Sequence, residues 1–226
     1  MVAVQIGTAG PEVLAELGRY GEVRPHLLPA DADKSTVDEV LSTVDSLRLV
    51  VIGDLPAFSR IVVRLLRRGL LGTTDVAAIV DSPQWTSSVG LPLGWRDQVA
   101  VAAGGAARAL GLVRDDQGGI VLDVAEMWPD EARRFGVRAY VEDTLLVDEP
   151  VRAITVRPTA TGLRAVADRG WGRRPAVAGR AVTMSCQPAR VRLDGVPLPN
   201  VRRRATFWYD PDCWRLVRGD ADPDQR

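Results

Sequence analysis

The first eighty residues alternate between short apolar runs and amphipathic segments, and this alternation restricts the fold more than any other feature. Apolar runs occupy residues 2–6, 22–29, 47–53 and 75–81. The segments between them place apolar side chains at helical spacing, as Ile61, Val62, Leu65 and Leu66 do after the third run. Strands that alternate with helices in this way predict a parallel sheet covered by helices, and therefore a three-layer α/β domain.

The pattern changes in the second half of the chain. Two β-like runs flank Asp115–Gly119, a strong hairpin signal, and short strand-like runs then follow at roughly ten-residue spacing, as in an antiparallel sandwich. The predicted fold class is therefore α+β, with an N-terminal three-layer α/β domain followed by an antiparallel β-sandwich domain. The expected divisions are a nucleotide-binding-like domain at 1–105, the sandwich at 106–218 and a disordered tail at 219–226.

Composition narrows the range of partners. With 226 residues and 46% apolar content the chain can bury a sizeable core. Its 29 basic and 29 acidic residues balance, whereas a nucleic-acid binder would need excess positive charge, so no nucleic acid is expected. Two cysteines far apart do not indicate a disulfide framework or a metal site. The N-terminus lacks a signal-peptide pattern and no long apolar segment occurs, which favours a cytoplasmic protein without a transmembrane segment.

The turn after the third apolar run is the most informative local feature. In "VVIGDLPAF" a buried strand ends in Gly53-Asp54 and an amphipathic helix over 55–70 follows directly, an arrangement typical of nucleotide-phosphate sites. The same residues have a structural interpretation, because aspartate is a preferred cap at the start of a helix. The sequence leaves both interpretations open at this point.

Four stretches in order resemble the catalytic family of the diacylglycerol kinases, which is related to sphingosine and NAD kinases. They are "VVIGDLPAF", "SPQWTSSVGLP", the hairpin region 107–127 and "VRLDGVP" followed by "TFWYDPDCWRLVR". The resemblance implies the two-domain fold of that family. It also implies nucleotide contacts at Gly53, Asp54, Phe58, Ser59 and Ser82, a metal ligand at Asp194, and ATP with Mg²⁺ as cofactors of an active member.

The sequence departs from the family at the residues that carry the chemistry. Leu55 stands where the family has a third glycine, Pro56 where it has threonine, and Val196 where it has a late carboxylate. A branched side chain and a missing N–H donor both oppose a phosphate loop. The favoured interpretation is a degenerate kinase-like protein with no catalytic residues, which binds a ligand in the interdomain cleft or a protein partner.

Two alternatives stay open. A divergent active kinase would transfer phosphate from ATP to a lipid or small alcohol, and a structural subunit would pair with an intact paralogue; a homo-oligomer is also possible.

Three further features have structural interpretations. We expect Asp194-Gly195 to form a hairpin turn, Arg202–Arg204 to form a solvated strand end rather than a phosphate site, and His26 to lack a catalytic role.

Overall fold

The computed structural model describes residues 1–7, 10–44, 48–170, 172 and 174–219. In its first half, four strands alternate with helices as the sequence predicts. The strands are β1 (Val2–Ile6), β2 (Arg24–Leu28), β3 (Arg48–Gly53) and β4 (Asp75–Val80), and the helices are α1 (Pro11–Gly18), α2 (Lys34–Ser42), α3 (Leu55–Arg67), α4 (Pro83–Ser88) and α5 (Trp95–Gly104). Within the described ranges, no helix has the length and apolar character needed to cross a membrane.

The second half consists of strands. They are β5 (Ala106–Asp115), β6 (Ile120–Val121), β7 (Ala125–Pro129), β8 (Phe135–Val141), β9 (Thr144–Val151), β10 (Ala153–Thr159), β11 (Gly162–Asp168), β12 (Ala176–Gly179), β13 (Ala181–Leu193), β14 (Val196–Pro197) and β15 (Arg202–Arg218). No helix interrupts them in the described part of this half, so the predicted change from helical to strand periodicity is confirmed.

Packing divides the chain into two compact units. The first contains Met1–Leu110 together with the described residues from Asp212 onwards, and the second is Gly111–Pro211. The chain thus passes between the units twice, within β5 and within β15. The sequence-based boundaries at 105 and 218 stay predictions; the end of β15 groups with the first unit because Arg215 and Leu216 pair in parallel with Asp75 and Val76 of β4. Of the predicted disordered tail at 219–226, residues 220–226 lie outside the described part of the chain.

The first unit has three layers. Its parallel sheet has the order β2-β1-β3-β4, extended at β4 by the end of β15. Alternate strand residues such as Val50 and Ile52 pack with Val13 and Leu17 of α1 and Val99 of α5. The intervening residues of each strand face the other side, where α2 and α3 pack. Apolar strands buried on both faces are what a parallel sheet between two helical layers requires.

The second unit is an antiparallel sandwich. One sheet has the order β12-β11-β10-β7-β13, and the other contains β9, β8, β13 and the first part of β15. β13 belongs to both sheets because its residues from Ala189 to Leu193 pair with β7 and those from Val182 to Cys186 pair with β8. Inward side chains of the two sheets, including Phe135, Ile154 and Phe207, form one apolar core. The predicted fold class is confirmed.

A buried ion pair holds the β5–β6 hairpin to β15. The guanidinium of Arg202 donates to Asp115 at 2.8 Å and to the Gln117 side chain at 2.8 Å, and the side chains of Arg202 and Asp115 are 4% and 1% exposed. Asp115 also accepts from the backbone N–H groups of Gln117 and Gly119, which closes the hairpin. The expectation of a solvated strand end is therefore wrong for Arg202, because its charge is needed beside a buried carboxylate; Arg203 and Arg204 are exposed as expected.

Replacing Arg202 with leucine should lower the free energy of unfolding by about 3–5 kcal/mol, since it leaves the Asp115 carboxylate buried without its counter-charge. Urea unfolding measures the change. The control is Arg203→Leu at the exposed neighbouring position, which should change stability by less than about 0.5 kcal/mol. Equal stability of the two variants would contradict a structural role for the pair.

Candidate functional site

A cavity of 660 Å³ lies in the first unit at the carboxyl ends of β1, β3 and β4. Its floor is formed by Ile6, Ile52 and Ile79 near the strand ends, and its sides come from α1, α3 and α5. The strand order explains the position. The chain moves outward from β1 to β2 and then crosses back to β3 on the other side of β1. Open α/β sheets bind ligands at the carboxyl ends of their strands, where the order reverses in this way.

Gly53 ends β3 at this reversal, and packing explains why glycine is needed. A Cβ atom at this position would lie 3.1 Å from the carbonyl oxygen of Ile6 and 3.4 Å from the Cβ of Ala57. The contact with the Ile6 oxygen is tighter than most side chains accept, so glycine favours the close approach of β1, β3 and the first turn of α3. The glycine is accounted for without a phosphate.

Asp54 caps α3, as the structural interpretation predicted. Its Oδ1 accepts from the backbone N–H of Ala57 at 2.7 Å, and its backbone carbonyl accepts from the N–H of Phe58 at 3.0 Å. Pro56 has no N–H to donate. Of the first-turn N–H groups of α3, at most that of Leu55 is left for a ligand, whereas a phosphate cradle requires several.

A carboxylate also lies at the start of α1, the second helix that begins at the cavity. Glu12 folds back so far that a Cβ on the cap residue Gly10 would lie 1.9 Å from its Oε1. The first helical residue is Pro11, which again offers no N–H. Negative charge is favourable at a helix N-terminus, so the side chains of α1 and α3 supply the anions that these termini attract.

Gln98 on α5 fixes the end of β4 beside the cavity. Its buried amide accepts from the N–H of Val80 at 2.8 Å and donates to the carbonyl oxygens of Val80 at 3.2 Å and Pro92 at 2.9 Å. The side chain therefore hydrogen-bonds to β4 as a neighbouring strand would. This arrangement positions Asp81, which follows β4 and lines the cavity.

The structure separates the residues that the resemblance implied. Gly53 and Asp54 line the cavity, but Phe58, Ser59 and Ser82 do not. Phe58 is fully buried, with its ring centroid 5.0 Å from that of Trp85 and 6.3 Å from that of Trp214, so it belongs to the core. Ser59 is half-buried on α3, and Ser82 occupies the cap position of α4. Nucleotide binding by these residues stays a prediction.

Asp194, the implied metal ligand, belongs to the second unit and is buried. Its carboxylate accepts from the backbone N–H groups of Leu122, Asp123 and Val124 at 2.8–3.0 Å. Asp194 and Gly195 have φ values of 49° and 87°, which suit the tight turn between β13 and β14, so the predicted hairpin turn is confirmed. Among the described residues, no group of three acidic, histidine or cysteine side chains could hold a metal ion.

Several residues that line the cavity escaped the sequence analysis: Glu12, Arg60, Asp81, Trp95 and Gln98. Asp81 is the last residue of a predicted strand, so the rule that ligands bind at the carboxyl ends of parallel strands could have identified it; Glu12 lies in the helix that follows the first strand. Arg60, Trp95 and Gln98 lie on helices, and no motif marks them.

Replacing Asp54 with alanine should lower the free energy of unfolding by about 0.5–2 kcal/mol, because the Ala57 N–H loses its acceptor. Asp54→Asn should cost less, since asparagine caps nearly as well. Thermal melts compare both variants with Asp81→Ala, which removes a carboxylate from the same cavity without removing a cap. A different result would mean that Asp54 serves a nucleotide instead of the helix. In that case all variants would have the melting temperature of the parent, and Mg-ATP would raise the melting temperature of the parent alone.

Burial raises the pKa of Asp194 to about 6, although its three backbone donors act in the opposite direction. An unfolded aspartate titrates near 3.9, so between roughly pH 4 and 6 the folded chain holds a proton that the unfolded chain releases. Stability from this group is therefore present at low pH and lost as pH rises through 6, on the order of 3 kcal/mol. Denaturant unfolding of the parent minus that of Asp194→Asn should fall over this range. A flat or rising difference would mean that the hydrogen bonds keep the carboxylate ionised.

No protein-family model matches the sequence, and no curated protein matches it. Solved structures do. A diacylglycerol kinase from Bacillus anthracis strain Sterne is similar over 97% of both chains, with a TM-score of 0.74 and 11% identity. An NAD kinase from Archaeoglobus fulgidus in complex with ATP is similar over 97% of this chain and 94% of its own, with a TM-score of 0.65 and 12% identity. Yeast NADH kinase complexed with NADH is similar over 99% of this chain and 84% of its own, with a TM-score of 0.62 and 8% identity. The implied fold is thereby confirmed: this chain has the fold shared by diacylglycerol kinases and NAD kinases.

Proposed function

We propose that the chain is a non-catalytic protein of the diacylglycerol-kinase and NAD-kinase fold that binds a small ligand in the cavity of its first unit. The observation that carries the proposal is the start of α3, where the backbone N–H groups are either already hydrogen-bonded or missing, apart from that of Leu55. Asp54 and Pro56 together remove the donors that a phosphate would need, while the cavity beside them persists.

The residues at the turn do not fit Mg-ATP. Polyphosphate recognition requires converging backbone N–H groups or cationic side chains. Here at most the Leu55 N–H is available in the first turn of α3, and the carboxylates of Glu12, Asp54 and Asp81 line the same cavity. Phosphoryl transfer depends almost entirely on positioned donors and charge stabilisation, so their loss supports a protein without turnover.

The cavity itself supports a binding role. Its 660 Å³ falls within the range of about 300–1,000 Å³ that small-molecule sites occupy. It combines apolar walls with a few polar groups, which is the usual composition of such sites. Its place at the carboxyl ends of the strands is also where sheets of this type bind ligands.

We expect no ATP hydrolysis and no phosphate transfer to diacylglycerol or NAD above the protein-free rate, with either Mg²⁺ or Mn²⁺. Phosphate release and radiolabelled-product assays measure both reactions. An active diacylglycerol kinase assayed in parallel shows that the conditions support turnover. Turnover by this chain that disappears in Asp54→Ala but survives in Asp81→Ala would overturn the proposal and support the divergent active kinase.

A further inference from the structure

The cavity of the first unit carries an excess of negative charge. Glu12, Asp54 and Asp81 contribute three carboxylates, and Arg60 contributes one guanidinium, whose Nη2 already donates to the Ala30 carbonyl oxygen at 2.6 Å. The positive ends of α1 and α3 offset part of the charge on Glu12 and Asp54. Asp81 is exposed and forms no hydrogen bond or ion pair with any described residue. An anionic ligand would meet repulsion here, and a cation would meet attraction.

These carboxylates do not converge on a single point. Within the part of the chain that the structure describes, no three acidic, histidine or cysteine side chains lie close enough to hold one metal ion. They are instead spread around a cavity of 660 Å³. A ligand that fills a space of this size is larger than a bare metal ion, which favours an organic cation over a metal.

The mouth of the cavity adds an apolar surface. Leu93 is 63% exposed although it is a large apolar side chain, and the half-buried Trp95 lies beside it. The guanidinium of Arg96, which does not line the cavity, lies 4.9 Å from the Trp95 ring centroid and covers one face of that ring. Together with the isoleucine floor, these groups suit the apolar body of a ligand.

We infer that the cavity binds an organic cation with an apolar body, such as a protonated aryl- or alkylamine, rather than a nucleotide or another anion. The inference rests on the proposed function, since it names the ligand class of the same cavity. The ammonium group would lie beside the carboxylate of Asp81, to which no described residue is hydrogen-bonded or ion-paired, and the apolar body would contact Leu93 and Trp95.

Two probes that share an indole ring and a two-carbon linker but carry opposite charges test the inference: tryptamine and indole-3-propionate, titrated at pH 7 by calorimetry. Tryptamine should bind at least about tenfold more tightly, because hydrogen bonds to charged partners contribute that much affinity. The double variant Glu12→Gln/Asp81→Asn should abolish the preference. The control Glu22→Gln/Glu39→Gln removes the same charge from exposed positions outside the cavity and should keep it.

A cavity-filling variant separates failure of the inference from failure of the proposed function. Ala30 lines the cavity but is exposed, so Ala30→Trp can fill the space without disturbing the core. If indole-3-propionate binds as tightly as tryptamine and Ala30→Trp abolishes binding, the inference is wrong and the cavity remains a ligand site. If neither probe binds the parent, or if Ala30→Trp leaves tryptamine binding unchanged, the inference is wrong, whereas the proposed function would be overturned by turnover in the assays described above.

Discussion

The close approach of β1 and β3 at Gly53 is the constraint on which the first unit depends. With the Ile6 carbonyl oxygen 3.1 Å from where a side chain would begin, any larger residue would push the two strand ends apart by a few tenths of an ångström. Glycine at the end of β3 thus favours the close approach from which α3 starts. Asp54 is then the residue able to cap the helix, and the floor of the cavity is formed by the neighbouring strand ends. The close approach at Gly53 and the cap at Asp54 therefore lie next to each other at the edge of the cavity.

Helix N-termini that face a cavity are natural anion sites, and this chain supplies the anions itself. Asp54 satisfies the start of α3 and Glu12 folds over the start of α1, while a proline in each first turn removes a further donor. Carboxylates therefore occupy the places where these helix N-termini would otherwise attract an anionic ligand.

Features set by local sequence could be predicted, and features set by tertiary packing could not. The strands, the helices α1 to α3, the Asp54 cap and the turn at Asp194-Gly195 follow from periodicity and turn chemistry, which act over a few residues. The burial of Arg202 escaped prediction because its partner Asp115 is far away in sequence. Gln98 and Trp95 reach the cavity from α5 for the same reason, since no local pattern distinguishes a glutamine that binds a distant backbone from one in solvent.

The amide of Gln98 also has a consequence for self-association. β15 pairs with β4 only near its start, at Asp75 and Val76, so the later residues of β4 would present free N–H and C=O groups to a further strand. Gln98 occupies both groups of Val80 from a helix. Exposed strand edges of this kind recruit other chains into aggregates, and proteins commonly block them with charges, prolines or covering elements. Here a single glutamine on a helix satisfies the backbone N–H of Val80, which would otherwise be left unpaired in a buried position.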